Sequence, residues 1–231
     1  MSGERLVLWD IDGTLVRAGD IGAEVFDRAI ELALGRPPAS RIRMGGKTDP
    51  QIVREYLELM EVDGAEEHLP TVLRHLEEQL AEAAHIVKER GRALPGVGEL
   101  LQRLAQEPRV IQSVLTGNIA PNAVVKLKAF GLDRWLDLEV GAYGSDQADR
   151  RALVPVALDR VRRLRGRALR PEAVWVVGDT ERDLEGARAS GARCLLVATG
   201  RTTLAQLSQL GADAVLADLS DTEAVATLLL A

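Results

Sequence analysis

The chain has 231 residues, 46% hydrophobic and only 3% aromatic, which bounds it to one sizeable domain with room for a smaller insert, filled mainly by Leu, Val and Ala. Its 29 basic and 35 acidic residues leave a net charge of −6, which is not the signature of a polyanion binder, so no nucleic-acid partner is expected. Cys194 is the lone cysteine, so no intrachain disulfide can form, and no apolar run approaches the ~20 residues of a membrane span; the expected setting is the cytoplasm, without a leader or a membrane contact.

In chain order, the first element is a strand over residues 6–10, short and almost wholly apolar, running into Asp10-Ile11-Asp12-Gly13-Thr14-Leu15. Residues 16–92 then show no strand pattern. Asp20 caps a helix that ends at Gly35, with Ile21, Val25, Phe26, Ala29 and Ile30 on its apolar face, and Pro37-Pro38 forbids continuation. Asp49 as N-cap and Pro50 in the first turn begin a second helix carrying Ile52, Val53, Tyr56, Leu57 and Met60. A third, longer helix is expected over 66–90. From there, strands at 110–116, 174–179, 194–199 and 214–217 alternate with helices at 95–105, 119–130, 150–165 and 181–190. Short strands that are apolar throughout are covered on both faces. The expectation is an α/β fold: a Rossmann-like, doubly wound parallel sheet built from 1–15 and 93–231, with residues 16–92 inserted as an all-helical cap over the strand ends. The charged stretch 160–170 reads as a solvated helix face.

The polar clusters fall at predicted strand ends, where an open parallel sheet places its chemistry. Asp10 and Asp12 suit a nucleophile with an acid/base partner, a divalent cation, or both. Thr116-Gly117-Asn118 offers a hydroxyl and main-chain N–H groups at a helix start, the makings of a phosphate or oxyanion site. Asp179 and Asp183, in Gly178-Asp179-Thr180-Glu181-Arg182-Asp183, join Asp10 as three carboxylates with no Cys or His nearby, an oxygen-only set that suits Mg²⁺. Arg150 and Arg151 open a helix and could neutralise a phosphoryl oxygen together with an aspartate; Arg150 is preferred, because the helix start is expected to face the site. His68, His75 and His85 lack zinc spacing and read as surface residues, and Cys194 reads as core. The segment Met44-Gly45-Gly46-Lys47-Thr48-Asp49 is either a helix-entry loop or a loop whose Lys47 and glycine amides reach a substrate.

Asp10-x-Asp12-Gly-Thr-Leu, Thr116-Gly-Asn, a basic residue at 150 and Gly-Asp179-x3-Asp183, in that order and around an early helical insert, resemble the four motifs of the haloacid dehalogenase-like superfamily. The resemblance spans nearly the whole chain and is greatest to the phosphoglycolate-phosphatase-like group. It implies a phosphatase for a small phosphorylated metabolite. Asp10 would attack phosphorus and form an aspartyl phosphate, while Asp12 would protonate the leaving alcohol and then activate water. Thr116, Gly117 and Asn118 would hold phosphoryl oxygens. Asp10, the Asp12 carbonyl and Asp179 would bind Mg²⁺, and Asp183 would orient the ion or its waters. The third motif departs from the frequent Lys-Pro in having Arg. Intramolecular phosphoryl transfer on a sugar phosphate is the alternative on this scaffold. Carbon–halogen hydrolysis is disfavoured, because a halide leaving group needs no proton from Asp12.

Overall fold

The computed structural model describes residues 3–231. Strand β1 (Arg5–Trp9) is an interior strand, second from one edge, of a parallel five-stranded sheet. It alternates strictly, sending Leu6 and Leu8 to one face and Val7 and Trp9 to the other, all fully buried. The chain then leaves the sheet. A two-residue strand β2 (Val16–Arg17) leads into helix α1 (Ile21–Leu34), followed by α2 (Asp49–Leu59), α3 (Ala65–Glu82) and α4 (Ala84–Arg90). Strand β3 (Arg92–Ala93) returns antiparallel to β2, so the excursion leaves and re-enters through one small ribbon. The rest alternates: α5 (Val97–Ala105), β4 (Val110–Val114), α6 (Ala120–Ala129), α7 (Leu153–Arg165), β5 (Val174–Gly178), α8 (Glu181–Ser190), β6 (Arg193–Val197), α9 (Leu204–Ser208), β7 (Ala214–Leu216) and α10 (Thr222–Leu230).

The sheet order is β4-β1-β5-β6-β7, with every pairing parallel. Helices α5, α6 and α10 cover the face of Val7 and Trp9 through Leu100, Leu101, Leu104, Leu127 and Leu229. Helices α7, α8 and α9 cover the other through Val154, Val161, Leu184 and Leu207. The fold is therefore the doubly wound α/β core expected. The chain moves from β1 to β4 on one side and later to β5 on the other. This reversal opens a crevice outside the carboxyl end of β1.

Helices α1 to α4 build their own apolar cluster, with Val25, Phe26, Ile30, Val53, Tyr56, Leu57, Val72 and Leu76 at its centre. It rests on α6, whose Val125 and Ala129 pack against it. Three expectations for this region are corrected. A strand pair exists at its neck, too short at two residues a side to show any period. The long helix is two, broken at Ala83. Thr48, not Asp49, is the N-cap of α2: its Oγ1 accepts from the Gln51 N–H, and the Gln51 side chain accepts from the Thr48 N–H in return. The sheet strands also end one or two residues earlier than expected, which puts Asp10, Thr116 and Asp179 beyond the ladder. Among the described residues no helix is long and apolar enough to cross a membrane.

Candidate active site

Asp10, Thr116 and Asp179 follow the three adjacent strands β1, β4 and β5. Main-chain bonds continue just past the sheet to hold Asp10 and Thr116 in place. The Asp10 N–H donates to Val177 O at 2.8 Å, Leu115 N–H to Trp9 O at 2.9 Å and Thr116 N–H to Ala142 O at 3.0 Å. Gly13 then turns the chain sharply at φ +89°, and a Cβ at that position would lie 2.5 Å from the Asp179 carboxylate. The turn therefore requires glycine twice, for its backbone angle and to leave room for the acid.

Arg150 organises the interior of the crevice. Its guanidinium, 4% exposed, donates to Asp10 Oδ1 at 2.9 Å and to Asp183 Oδ1. Asp183 is fully buried at the start of α8, and its other oxygen accepts from the Thr180 N–H at 3.0 Å and the Thr180 hydroxyl at 2.7 Å. Arg151 is exposed and paired with Asp149, so only Arg150 belongs to the cluster. Asp10, Asp179 and Asp183 can each present one carboxylate oxygen, all within 4.8 Å of one another. Burial, opposed by Arg150, pushes the Asp10 carboxyl up to about 7. Burial and the charges of Asp10 and Asp183 push Asp179 to about 8. Burial works against the Arg150 charge, and Asp183 and Asp10 outweigh it, so its proton affinity is raised. Asp179 Oδ1 is buried without a hydrogen-bond partner. An oxygen-only set of carboxylates, one with an unused buried oxygen, fits a hard divalent cation such as Mg²⁺.

Asp12 points elsewhere. Its side chain is 45% exposed and is gripped on one flank by Lys126 of α6, whose Nζ donates to Oδ1 at 2.8 Å and Oδ2 at 2.7 Å. Asn118 Nδ2 donates to the same Oδ2 at 2.7 Å and to Thr116 Oγ1 at 2.8 Å, while Asn118 Oδ1 accepts from Lys126 at 2.7 Å. Sequence reasoning missed Lys126. The signal was available: it sits between Ala123 and Leu127, both core residues, so it falls on the buried arc of α6, where a cation needs a partner.

The helical layer closes on this end of the sheet through the segment before α2. The Asp49 N–H donates to Gly117 O at 2.7 Å, its Oδ2 accepts from the Ile119 N–H at 2.8 Å, and Thr48 Oγ1 donates to Ala148 O at 2.8 Å. A Cβ on Gly117 would lie 2.1 Å from Lys47 O, so the two loops touch backbone to backbone. Asp49 is buried, which pushes its carboxyl up to about 7 against the pull of Lys126 and the Ile119 N–H. The ammonium of Lys47 pairs with Glu55 of α2. Cys194 is buried in β6, and burial pushes its thiol up, in keeping with a core role. None of the three histidines belongs to the carboxylate group, and His75 pairs with Glu78.

The model of the haloacid dehalogenase-like hydrolase family matches residues 7–188. Phosphoglycolate phosphatase 1 of Pseudomonas aeruginosa is 30% identical over 207 residues, 85% of this chain and 70% of that protein. Solved structures share the fold, among them two bacterial proteins. A predicted phosphoglycolate phosphatase from Haemophilus somnus 129PT aligns with a TM-score of 0.66 at 21% identity, covering 97% of this chain and 98% of that one. A hydrolase from Pseudomonas syringae aligns with a TM-score of 0.70 at 20% identity, covering 96% of each.

Proposed function

The chain belongs to the haloacid dehalogenase-like hydrolases and is a phosphatase of the phosphoglycolate-phosphatase-like kind, and on that premise we propose that it hydrolyses a small-molecule phosphate monoester through a phosphoryl group carried on Asp10, with Mg²⁺ as its cofactor. The carrying observation is the split between two carboxylates two residues apart. Asp10 is buried against Arg150, and Asp12 is held half-open by Lys126 and Asn118. The buried one suits attack on phosphorus, and the half-open one suits a leaving group arriving from solvent.

In the first half-reaction an Asp10 oxygen bonds to phosphorus as the bond to the ester oxygen breaks, and Asp12 gives its proton to that oxygen. In the second, water attacks phosphorus, Asp12 takes its proton, and the Asp10–phosphorus bond breaks. Thr116, with the Gly117 and Asn118 amides, holds phosphoryl oxygens, and Arg150 offsets charge on Asp10. Asp10, the Asp12 carbonyl and Asp179 would hold the cation, steadied by Asp183; when bound it supplies positive charge to the phosphoryl oxygens and relieves the repulsion among the acids. Residues 1–15 and 93–231 form the catalytic core in this reading, and 16–92 the cap, hinged at the β2–β3 ribbon. The cap excludes bulk water and admits only small substrates.

Phosphate release from 4-nitrophenyl phosphate tests the reaction class. Turnover should require Mg²⁺, stop with excess chelator and return on adding the ion; undiminished turnover in chelator contradicts the cofactor. A panel of phosphorylated metabolites that includes phosphoglycolate then tests the substrate. Rearrangement of a sugar phosphate without release would point to the phosphomutase instead.

A further inference from the structure

We propose that Lys126 is a positioning residue for the proton transfers at Asp12, holding that carboxylate, together with Asn118, in line with the leaving group. The inference rests on the phosphatase reading above and goes beyond it, since Lys126 lies outside the four motifs.

The ammonium of Lys126 makes three short contacts, and all three lie within the site: both oxygens of Asp12 and the amide oxygen of Asn118. The residue is 7% exposed. A buried cation is costly unless well paired. Its partner Asp12 is 45% exposed on a loop after β1. The ion pair therefore leaves one side of Asp12 open while removing its rotational freedom. Asn118 locks the arrangement, because its amide donates to Asp12 and Thr116 and accepts from Lys126, which fixes the amide orientation. The acid/base and the phosphoryl-binding hydroxyl are thus tied into one network whose fixed end is a helix.

The proton balance needs nothing from Lys126 itself. When Asp12 protonates the leaving oxygen, the charge left on its carboxylate appears beside an ammonium already in place. When Asp12 takes the proton of the attacking water, the same contacts hold it over the phosphorus. Ester and water go in; alcohol and phosphate come out. Helix α6 also bears the cap, through Val125 and Ala129 on either side of Lys126, so the support of Asp12 and the seat of the cap share one element.

Lys126→Met, Lys126→Gln and Lys126→Arg test this, with kcat and KM read on an alkyl phosphate and on 4-nitrophenyl phosphate. An alkoxide needs its proton; a nitrophenolate barely does. For Lys126→Met the expected result is a fall in kcat of about 10²-fold on the alkyl ester, a fall under about tenfold on the nitrophenyl ester, and KM nearly unchanged. Lys126→Arg should recover part of the loss on the alkyl ester. Should the Met variant not fold, Gln is read in the same way. Introduced into Asp12→Asn, Lys126→Met should add little further loss, because the group it positions is already disabled. Equal losses on both esters, no loss on either, or an Arg variant no better than Met would overturn the assignment. Wild-type protein that hydrolyses neither ester would instead overturn the phosphatase reading itself.

Discussion

Asp10 and Asp12 show how two identical side chains acquire different chemistry within one turn. Asp10 is the first residue past a buried strand and is walled in by Arg150, Asp179 and Asp183; Asp12, two residues later, faces solvent and a lysine. Asp10→Asn should abolish turnover, because an amide is a poor nucleophile. Asp12→Asn should slow an alkyl ester by about 10²-fold or more and a nitrophenyl ester less, measured across a leaving-group series; equal slowing across the series would remove Asp12 as the acid. Asp183 has a different task. Both its oxygens are engaged, one by Arg150 and one by Thr180, at the buried start of α8. Asp183→Ala would leave Arg150 short of a partner in the interior and should cost about 3–5 kcal/mol of stability in denaturant titration, as well as activity.

Among the elements, the core was legible and the neck was not. The strands of the sheet were placed to within one or two residues because each is a short, mainly apolar run, and α8 read to the residue because Thr180 and Gly191 punctuate it. Strands β2 and β3 were invisible, since two residues a side carry no pattern and their pairing is fixed by the chain reversing around the helical insert. Arg150, preferred over Arg151 as the head of a helix, pairs with Asp10 and Asp183 from a short 3₁₀ turn ahead of α7 instead, whereas Lys126 was hidden in a helix judged only by its apolar residues. Asp49 looked like a helix cap. Its side chain in fact bonds to Ile119, a contact between distant parts of the chain that local pattern cannot encode. That contact sits beside Gly117, where a Cβ would meet Lys47 O at 2.1 Å. Gly117→Ala should therefore displace the cap loop while leaving the sheet intact. The expected outcome is a fall in kcat/KM of about 10²-fold with unchanged far-UV circular dichroism; an active alanine variant would show that the loops need not touch.

At the scale of the molecule, the buried acids couple stability to pH and to the cation. Asp10 and Asp49, pushed up to about 7, and Asp179, pushed up to about 8, all prefer the proton in the folded state. Their contribution is fully present below the ordinary carboxylate range and is lost as pH rises through 7 to 8. The melting temperature of the metal-free protein should thus carry a downward component between about pH 5 and pH 8. Under the proposed function Mg²⁺ would compete with those protons at Asp10 and Asp179, and so should raise it more at the upper end than at the lower. Asp49→Asn keeps an acceptor for Ile119 and should reduce the part of this slope that Mg²⁺ does not correct. A stabilisation by Mg²⁺ that is equal at both ends would separate the cation from these acids. A cap seated on the crevice also implies that a folded phosphoprotein is not a substrate, and its efficient dephosphorylation would contradict the cap as a lid. The central claim is that phosphorus passes through Asp10. Rapid acid quench of the wild-type enzyme during turnover, followed by peptide mass analysis, reads this directly. The account predicts one added phosphoryl group on the peptide containing Asp10, absent in Asp10→Asn. Turnover by the wild type with no modified peptide at any quench time, or a phosphoryl group found on another residue, would contradict it.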